Sequence, residues 1–127
     1  MKLQPDRADG FNLIQAHQPG EFIVNGQAWQ ESILVPSTGA VQRWAPTAVT
    51  ELLAEHAELI AAQSPELVIL GTGARLRFAS PAVLQPLMKR RIGVETMDTA
   101  AACRTYNVLV SEGRRVVAAL MLVPAAG

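Results

Sequence analysis

One apolar run constrains the fold more than any other feature of the sequence. After Glu66, the residues Leu67 to Leu70 are all aliphatic, and the run ends at Gly71-Thr72-Gly73. A short continuous apolar run without polar alternation is typical of a strand that is covered on both faces. We therefore expect this segment to lie centrally in a sheet that has further layers packed on both sides.

Short strand patterns dominate the N-terminal third. Residues 11–14, 21–24 and 32–35 are each mostly apolar, and turn residues follow them at 18–20, 25–26 and 36–39. The pair Asn25-Gly26 favours a two-residue hairpin turn, because both residues tolerate positive φ. This part of the chain is predicted to be mostly antiparallel.

The spacing of apolar residues becomes helical between residues 46 and 63, where they recur every three or four positions. The pattern predicts a helix whose buried stripe consists of Val49, Leu52, Leu53, His56, Leu59 and Ile60. A second helix is predicted to begin with Ser80 as N-cap and Pro81 in the first turn, and Pro86 predicts that it is short or kinked.

The C-terminal third is predicted to contain a strand over 92–97 and then a short helix over 99–104, capped by Asp98. Val108-Leu109-Val110 and Val116-Val117 flank a Gly-containing turn, which favours a hairpin there. A final strand is predicted over 115–123. These segments predict a single α/β domain over residues 1–127, with three layers, a mixed central sheet, helices packed on it and an antiparallel N-terminal portion. Residues 1–10 and 124–127 are predicted to be loose tails.

Composition excludes several classes of protein. Half of the residues are hydrophobic and 17% are charged, which excludes a disordered chain. Eleven basic residues balance eleven acidic ones, so the chain lacks the basic excess of a nucleic-acid-binding protein. The apolar runs are shorter than the roughly 20 residues of a membrane-spanning helix. A single cysteine needs no oxidising compartment, and without an export or transit signal the cytoplasm is the expected location.

Metal and cofactor signatures are also missing from the sequence. One cysteine and two separated histidines give no metal-ligand spacing, so no metal site is predicted. Gly71-Thr72-Gly73 lacks the third glycine of a dinucleotide-binding fingerprint, and no cofactor is predicted.

Charges are segregated along the chain. Residues 44–74 contain four acids and no base, whereas residues 67–94 contain five bases and no acid. Two solvated helical faces of opposite sign are the favoured interpretation. Docking of a partner or weak self-association through these blocks is the alternative.

Two segments offer candidate chemistry. The amides of the Gly71-Thr72-Gly73 loop, with Arg75 and Arg77 nearby, are suited to holding an anion at the end of a buried strand, although tight-turn glycines are the favoured interpretation. On a short helix, Thr99 and Cys103 share a face, and Arg104 is the neighbouring base that would lower the thiol pKa. A small buried hydrophobic cysteine is favoured over a nucleophile.

The order of short motifs resembles a known family. The motifs are Phe22 to Gly26, Ser32 to Pro36, Val41 to Trp44, Val68 to Gly73, Gly93 to Thr99, Ala102 to Asn107 and Glu112 to Arg114. They are similar to those of the small-domain family that includes mitochondrial respiratory complex I assembly factor three and many uncharacterised prokaryotic proteins. The resemblance implies a three-layer α/β fold around a mixed sheet and implies no established reaction.

The resemblance also directs the functional hypothesis. We expect a non-enzymatic protein-interaction or assembly-factor-like domain that binds an unidentified protein partner, with no catalytic residue assigned. The alternative is an anion-binding domain or an enzyme that uses a crevice between the Gly71–Gly73 loop and the Asp98–Asn107 segment. The candidate binding residues are Gly71, Thr72, Gly73, Arg75, Asp98, Thr99, Cys103, Arg104, Tyr106 and Asn107.

Overall fold

The structure, a computed structural model, describes residues 10–125. The parts of the predicted tails at 1–9 and 126–127 lie outside the described residues. The strands are β1 (Ile14–Gln18), β2 (Glu21–Val24), β3 (Gln27–Trp29), β4 (Ile33–Pro36), β5 (Gln42–Arg43), β6 (Leu67–Gly71), β7 (Gly93–Met97) and β8 (Val116–Leu120). The helices are α1 (Ala54–Ala61), α2 (Pro81–Lys89) and α3 (Thr99–Ser111).

A mixed five-stranded sheet forms the middle layer, in the order β5-β4-β8-β6-β7. Strand β6 is parallel to β7 and β8, whereas β4 is antiparallel to β5 and β8. Every residue of β6 is buried. The prediction of an inner strand covered on both faces is therefore confirmed.

Alternate residues of β6 face different layers, as the period of two in a strand requires. Val68 and Leu70 pack in the cluster formed with α1 and α2, whereas Leu67 and Ile69 pack in the cluster formed with α3 and the N-terminal strands. The predicted three-layer α/β fold with an antiparallel N-terminal portion is confirmed.

The N-terminal strands form a separate antiparallel sheet, β1-β2-β3. Asn25 and Gly26 have φ of 52° and 80°, which gives the predicted hairpin turn between β2 and β3. The first strand begins at Ile14, so the prediction of a strand over 11–14 is wrong. The reason is that the Asn12 N–H donates to the Ser37 carbonyl, and the segment before Ile14 pairs with the loop after β4.

The predicted helix over 46–63 is too long. A 3-10 turn covers Val49–Glu51, and α1 begins only at Ala54. Local bonds interrupt the helix: Glu51 accepts from the Thr47 N–H, and His56 Nδ1 accepts from the Leu53 N–H. Consequently Leu53 and Leu59 are exposed, and His56 caps the helix start rather than lying in the core.

The second predicted helix is confirmed in position and is short, at nine residues, with Pro81 in its first turn and Pro86 inside it. Ser80 occupies the N-cap position, but its side chain makes no capping hydrogen bond.

The predicted C-terminal hairpin is wrong. Helix α3 continues to Ser111 and includes Val108-Leu109-Val110, whose β-branched residues had favoured a strand. Burial overrides this preference, because Tyr106 and Val110 are four residues apart and pack on the same face against the sheet. Strand β8 then enters the sheet between β4 and β6 instead of pairing with residues 108–110.

Two polar side chains of α3 join the helix to distant backbone. The Tyr106 hydroxyl lies 2.9 Å from the carbonyl oxygens of Asn12 and Pro36. The Asn107 side chain accepts from the Ile14 N–H at 3.0 Å and donates to the Ile14 carbonyl at 2.7 Å. Helix α3 therefore holds the N-terminal segment against the main sheet.

We expect Tyr106→Phe to lower the free energy of unfolding by about 1–2 kcal/mol, because it removes the hydroxyl that serves two buried carbonyls. Urea unfolding followed by circular dichroism measures this difference. Val108→Ala, at an exposed position of the same helix, serves as the control and should change stability by less than about 0.5 kcal/mol. Equal stability of Tyr106→Phe and the wild type would contradict the assigned role.

Candidate functional site

Buried hydrogen bonds join the two segments that were predicted to enclose a crevice at the end of β6. Thr99 Oγ accepts from the Gly73 N–H and donates to the Met121 carbonyl, both at 2.8 Å. The Thr99 N–H in turn donates to the Gly73 carbonyl at 2.9 Å. Thr99 is fully buried, so these bonds connect the loop, α3 and the end of β8.

Gly71 is required by close approach rather than by an unusual φ. A Cβ at this position would lie 3.0 Å from the Ala102 Cβ and 3.1 Å from both the Thr99 Cα and a Leu120 methyl carbon. Helix α3 packs directly over the loop, and this contact leaves no crevice between Gly71 and Thr99.

Asp98 has the capping role expected from the sequence. Its Oδ1 accepts from the Ala101 N–H at 2.8 Å at the start of α3. A carboxylate at a helix N-terminus also opposes the positive end of the helix dipole. Asp98 therefore stabilises the helix.

Thr72 organises the exposed loop that follows. Its hydroxyl donates to the Arg75 carbonyl at 2.6 Å and accepts from the Arg77 N–H at 3.1 Å. We call residues 74–79, between β6 and α2, the 74–79 loop. Within it, Arg75 and Arg77 are exposed, as are Leu76 (49%) and Phe78 (74%).

The sequence analysis used the two arginines of this loop but missed its apolar residues. The signal was the alternation Arg75-Leu76-Arg77-Phe78, which follows Gly73 and Ala74 in a segment with no strand or helix pattern. Two large apolar side chains in such a segment do not belong to a helix or strand that would bury them in the core.

Cys103 is a buried thiol, 5% exposed. Burial raises its pKa to about 12, and the opposing effect of the Arg104 charge is smaller. The thiol is therefore protonated at neutral pH, and the arrangement does not activate a nucleophile.

Three candidate residues lie together at a different place, in an open groove between β1 and α3. Its lining residues are Ile14, Gln15, Ala16, His17, Ala100, Cys103, Arg104 and Asn107. We call it the β1–α3 groove. Among its residues, Arg104 is exposed, whereas Cys103 is nearly covered.

His17 is the titratable residue of this groove that the sequence analysis did not select as a candidate. Its ring stacks on Phe22 with centroids 5.3 Å apart. Burial lowers the pKa of His17, and the nearby Asp98 carboxylate opposes this in part. The imidazole is therefore neutral at pH 7, and its buried Nε2 has no hydrogen-bond partner among residues 10–125.

The structure thus separates the ten candidate residues. Gly71, Thr72, Gly73 and Thr99 form the buried connection at the end of β6, and Tyr106 is fully buried beneath the N-terminal segment. Cys103, Arg104 and Asn107 line the groove. Arg75 belongs to the 74–79 loop, and Asp98 caps the start of α3.

Residues 10–125 contain no group of three or more His, Cys, Asp or Glu placed to hold a metal ion. In the same range, no helix has both the length and the apolar character needed to cross a bilayer.

Comparison with known proteins identifies the family. A family model described as "Protein of unknown function (DUF498/DUF598)" matches residues 14–121. The chain belongs to this family. The resemblance found in the sequence motifs is confirmed by curated relatives, which include assembly factors.

Two relatives and one solved structure illustrate how similar this chain is to known proteins. NADH dehydrogenase (ubiquinone) 1 alpha subcomplex assembly factor 3 of Xenopus tropicalis is 32% identical over 126 residues, which cover 97% of this chain and 67% of the relative. The 13 kDa major membrane protein of Francisella tularensis is 26% identical over 117 residues, covering 91% and 95%. A crystal structure from Bordetella parapertussis matches with a TM-score of 0.85 at 36% identity, covering 91% of this chain and 99% of that chain.

We expect Cys103 to resist alkylation in the folded protein, because its thiol is buried and has a pKa of about 12. The measurement is the rate of iodoacetamide modification between pH 6 and 10, followed by mass spectrometry. Modification should become rapid only when denaturant is added. Rapid modification of the native protein with a midpoint near or below about 8.5 would contradict a packed thiol.

We expect Gly71→Ala to lower the free energy of unfolding by about 1–3 kcal/mol, because the new methyl group would contact α3 backbone and side-chain atoms. Gly93→Ala is the matched control in β7. There the nearest atom is a flexible Leu67 methyl carbon at 3.2 Å, so the cost should be smaller. Equal losses in thermal and urea unfolding would contradict the proposed close packing at Gly71.

Proposed function

We propose that this protein is a non-enzymatic, assembly-factor-like domain that binds another protein through the 74–79 loop. The observation that carries the proposal is the 74% exposure of Phe78, next to the half-exposed Leu76, on a loop held by Thr72. Large apolar side chains exposed together are typical of interaction surfaces.

The hydrogen bonds of Thr72 favour binding, because they limit the conformational entropy that the 74–79 loop loses when a partner binds. Because its hydroxyl bonds both Arg75 and Arg77, the backbone around Leu76 is fixed before a partner arrives. A pre-organised loop loses less conformational freedom on binding than a free one. The loop is thus suited to inserting Leu76 or Phe78 into an apolar pocket of a partner.

Charge indicates the nature of the surrounding surface. Arg75 and Arg77 flank Leu76, and both arginines are exposed. We propose a partner whose apolar pocket has an acidic rim, because complementary charges guide association and fix orientation.

The alternative of an anion-binding enzyme has less support. Thr99 is buried and fully bonded, and the Cys103 thiol is protonated, so the reactive groups of that hypothesis are engaged in the fold. Self-association through the opposite charge blocks also has less support, because Glu58 and Arg90 lie 3.9 Å apart within one chain. The assembly factors among the DUF498/DUF598 relatives agree with a protein-binding role.

Affinity capture with quantitative mass spectrometry tests this proposal in cells that express the protein. Phe78→Ser and Leu76→Ser should each lower partner recovery by about tenfold, since burying such a side chain contributes about 1.5 kcal/mol. Val108→Ser is the matched control, because Val108 is also exposed (56%) but lies on α3. Recovery of the same partners by Phe78→Ser and the wild type would contradict the proposal.

A further inference from the structure

The β1–α3 groove is bounded on one side by an open strand edge. Strand β1 is an outer strand of the order β1-β2-β3, so its backbone groups on the side away from β2 have no strand partner within residues 10–125. Helix α3 lies beside this edge, because Asn107 bonds both backbone groups of Ile14. The groove therefore has strand backbone on one side and a helix face on the other.

Asn107 shows which groups this edge accepts. Its side-chain amide offers one carbonyl and one N–H to Ile14, which is the same pair that a neighbouring strand would offer. Beyond Ile14 the edge is open, and Gln15, Ala16 and His17 line the groove. The side-chain amide of Asn107 thus takes the place of a neighbouring strand at Ile14. The rest of the β1 edge is available for pairing with another chain.

The opposite wall leaves room for an extended chain. It consists of Ala100, Cys103, Arg104 and Asn107, which recur at helical spacing on one face of α3. Ala100 is small and Cys103 is nearly buried, so neither projects far into the groove. An added strand has pockets for alternate side chains only where the facing residues are small, and this wall meets that condition.

The charges of the groove favour an acidic ligand. Arg104 is exposed, and none of the ion pairs in the described part of the chain includes it. His17 is neutral, and the Asp98 carboxylate near it is engaged in capping α3. Arg104 is therefore the cation available to a ligand carboxylate.

We propose that the β1–α3 groove binds an extended acidic peptide segment of a partner protein, which pairs with β1 as an added strand. A carboxylate of the peptide bonds Arg104, and a small side chain packs over Ala100. This inference rests on the proposed protein-binding function, but it uses residues other than those of the 74–79 loop. The DUF498/DUF598 domain thus has two proposed contacts with partner proteins, the 74–79 loop and the β1–α3 groove. The ligand of the groove is an acidic peptide.

The test is selection from a phage library of random 12-residue peptides on the full chain, followed by calorimetry and amide NMR shifts with the synthesised consensus peptide. We expect the consensus to contain Asp or Glu and to shift the amides of Ala16, His17 and Arg104. Arg104→Glu should weaken binding about tenfold, whereas Arg104→Lys should retain most of it. Ala100→Leu, which fills the groove, should abolish binding.

Control variants separate this inference from the proposed function. Lys89→Glu makes the same charge reversal on α2 and should bind the peptide as the wild type does. Phe78→Ser should also keep full peptide affinity, so failure of the loop proposal would leave this result intact. Amide spectra of each variant establish that it is folded. The inference is overturned if no peptide is selected, or if the selected peptides bind Ala100→Leu and Arg104→Glu with wild-type affinity.

Discussion

Three polar side chains on α3 bond to backbone that is far away in the sequence, and the arrangement of the layers depends on these bonds. Thr99 joins the end of β6 to the residue after β8, while Tyr106 and Asn107 hold the segment that leads into β1. Each bond gives a backbone group a partner within the protein, as buried backbone groups require. Helix α3 thus connects the five-stranded sheet with the N-terminal sheet.

This connection explains why so many of the candidate residues have structural roles. The segment from Asp98 to Asn107 is rich in polar residues because it caps a helix and bonds two loops and a strand. A polar group that is buried must be bonded, and here the bonds are to backbone. Within this segment Arg104 is exposed, and the other exposed arginine among the candidate residues, Arg75, lies in the 74–79 loop.

Local patterns were sufficient to predict several elements. The aliphatic run at 67–70, the Asn25-Gly26 turn and the Asp98 cap each depend on interactions between residues close in sequence, and each was predicted correctly. The extent of α3 depends instead on burial of Val110 against the sheet, which local propensity does not contain. The late start of α1 depends on the bond between His56 and Leu53, which competes with a longer helix.

The candidate site was only partly predictable for the same reason. The sequence places Cys103 beside Arg104, but it does not show that burial dominates the thiol pKa. His17 lies far from α3 in the sequence, and the hydrogen bonds of Asn107 with Ile14 help to hold β1 beside that helix. Long-range side-chain bonds of this kind leave no periodic signal.

Hydrogen exchange of the native protein, measured by NMR, tests most directly whether the polar side chains of α3 hold the layers together. The account predicts that the amides of Ile14 and Gly73, which donate to Asn107 and Thr99, exchange only through global unfolding. In Asn107→Ala, the Ile14 amide should lose this protection while Gly73 keeps it. Exchange of Ile14 and Gly73 in the wild type as fast as in an open loop would contradict the account.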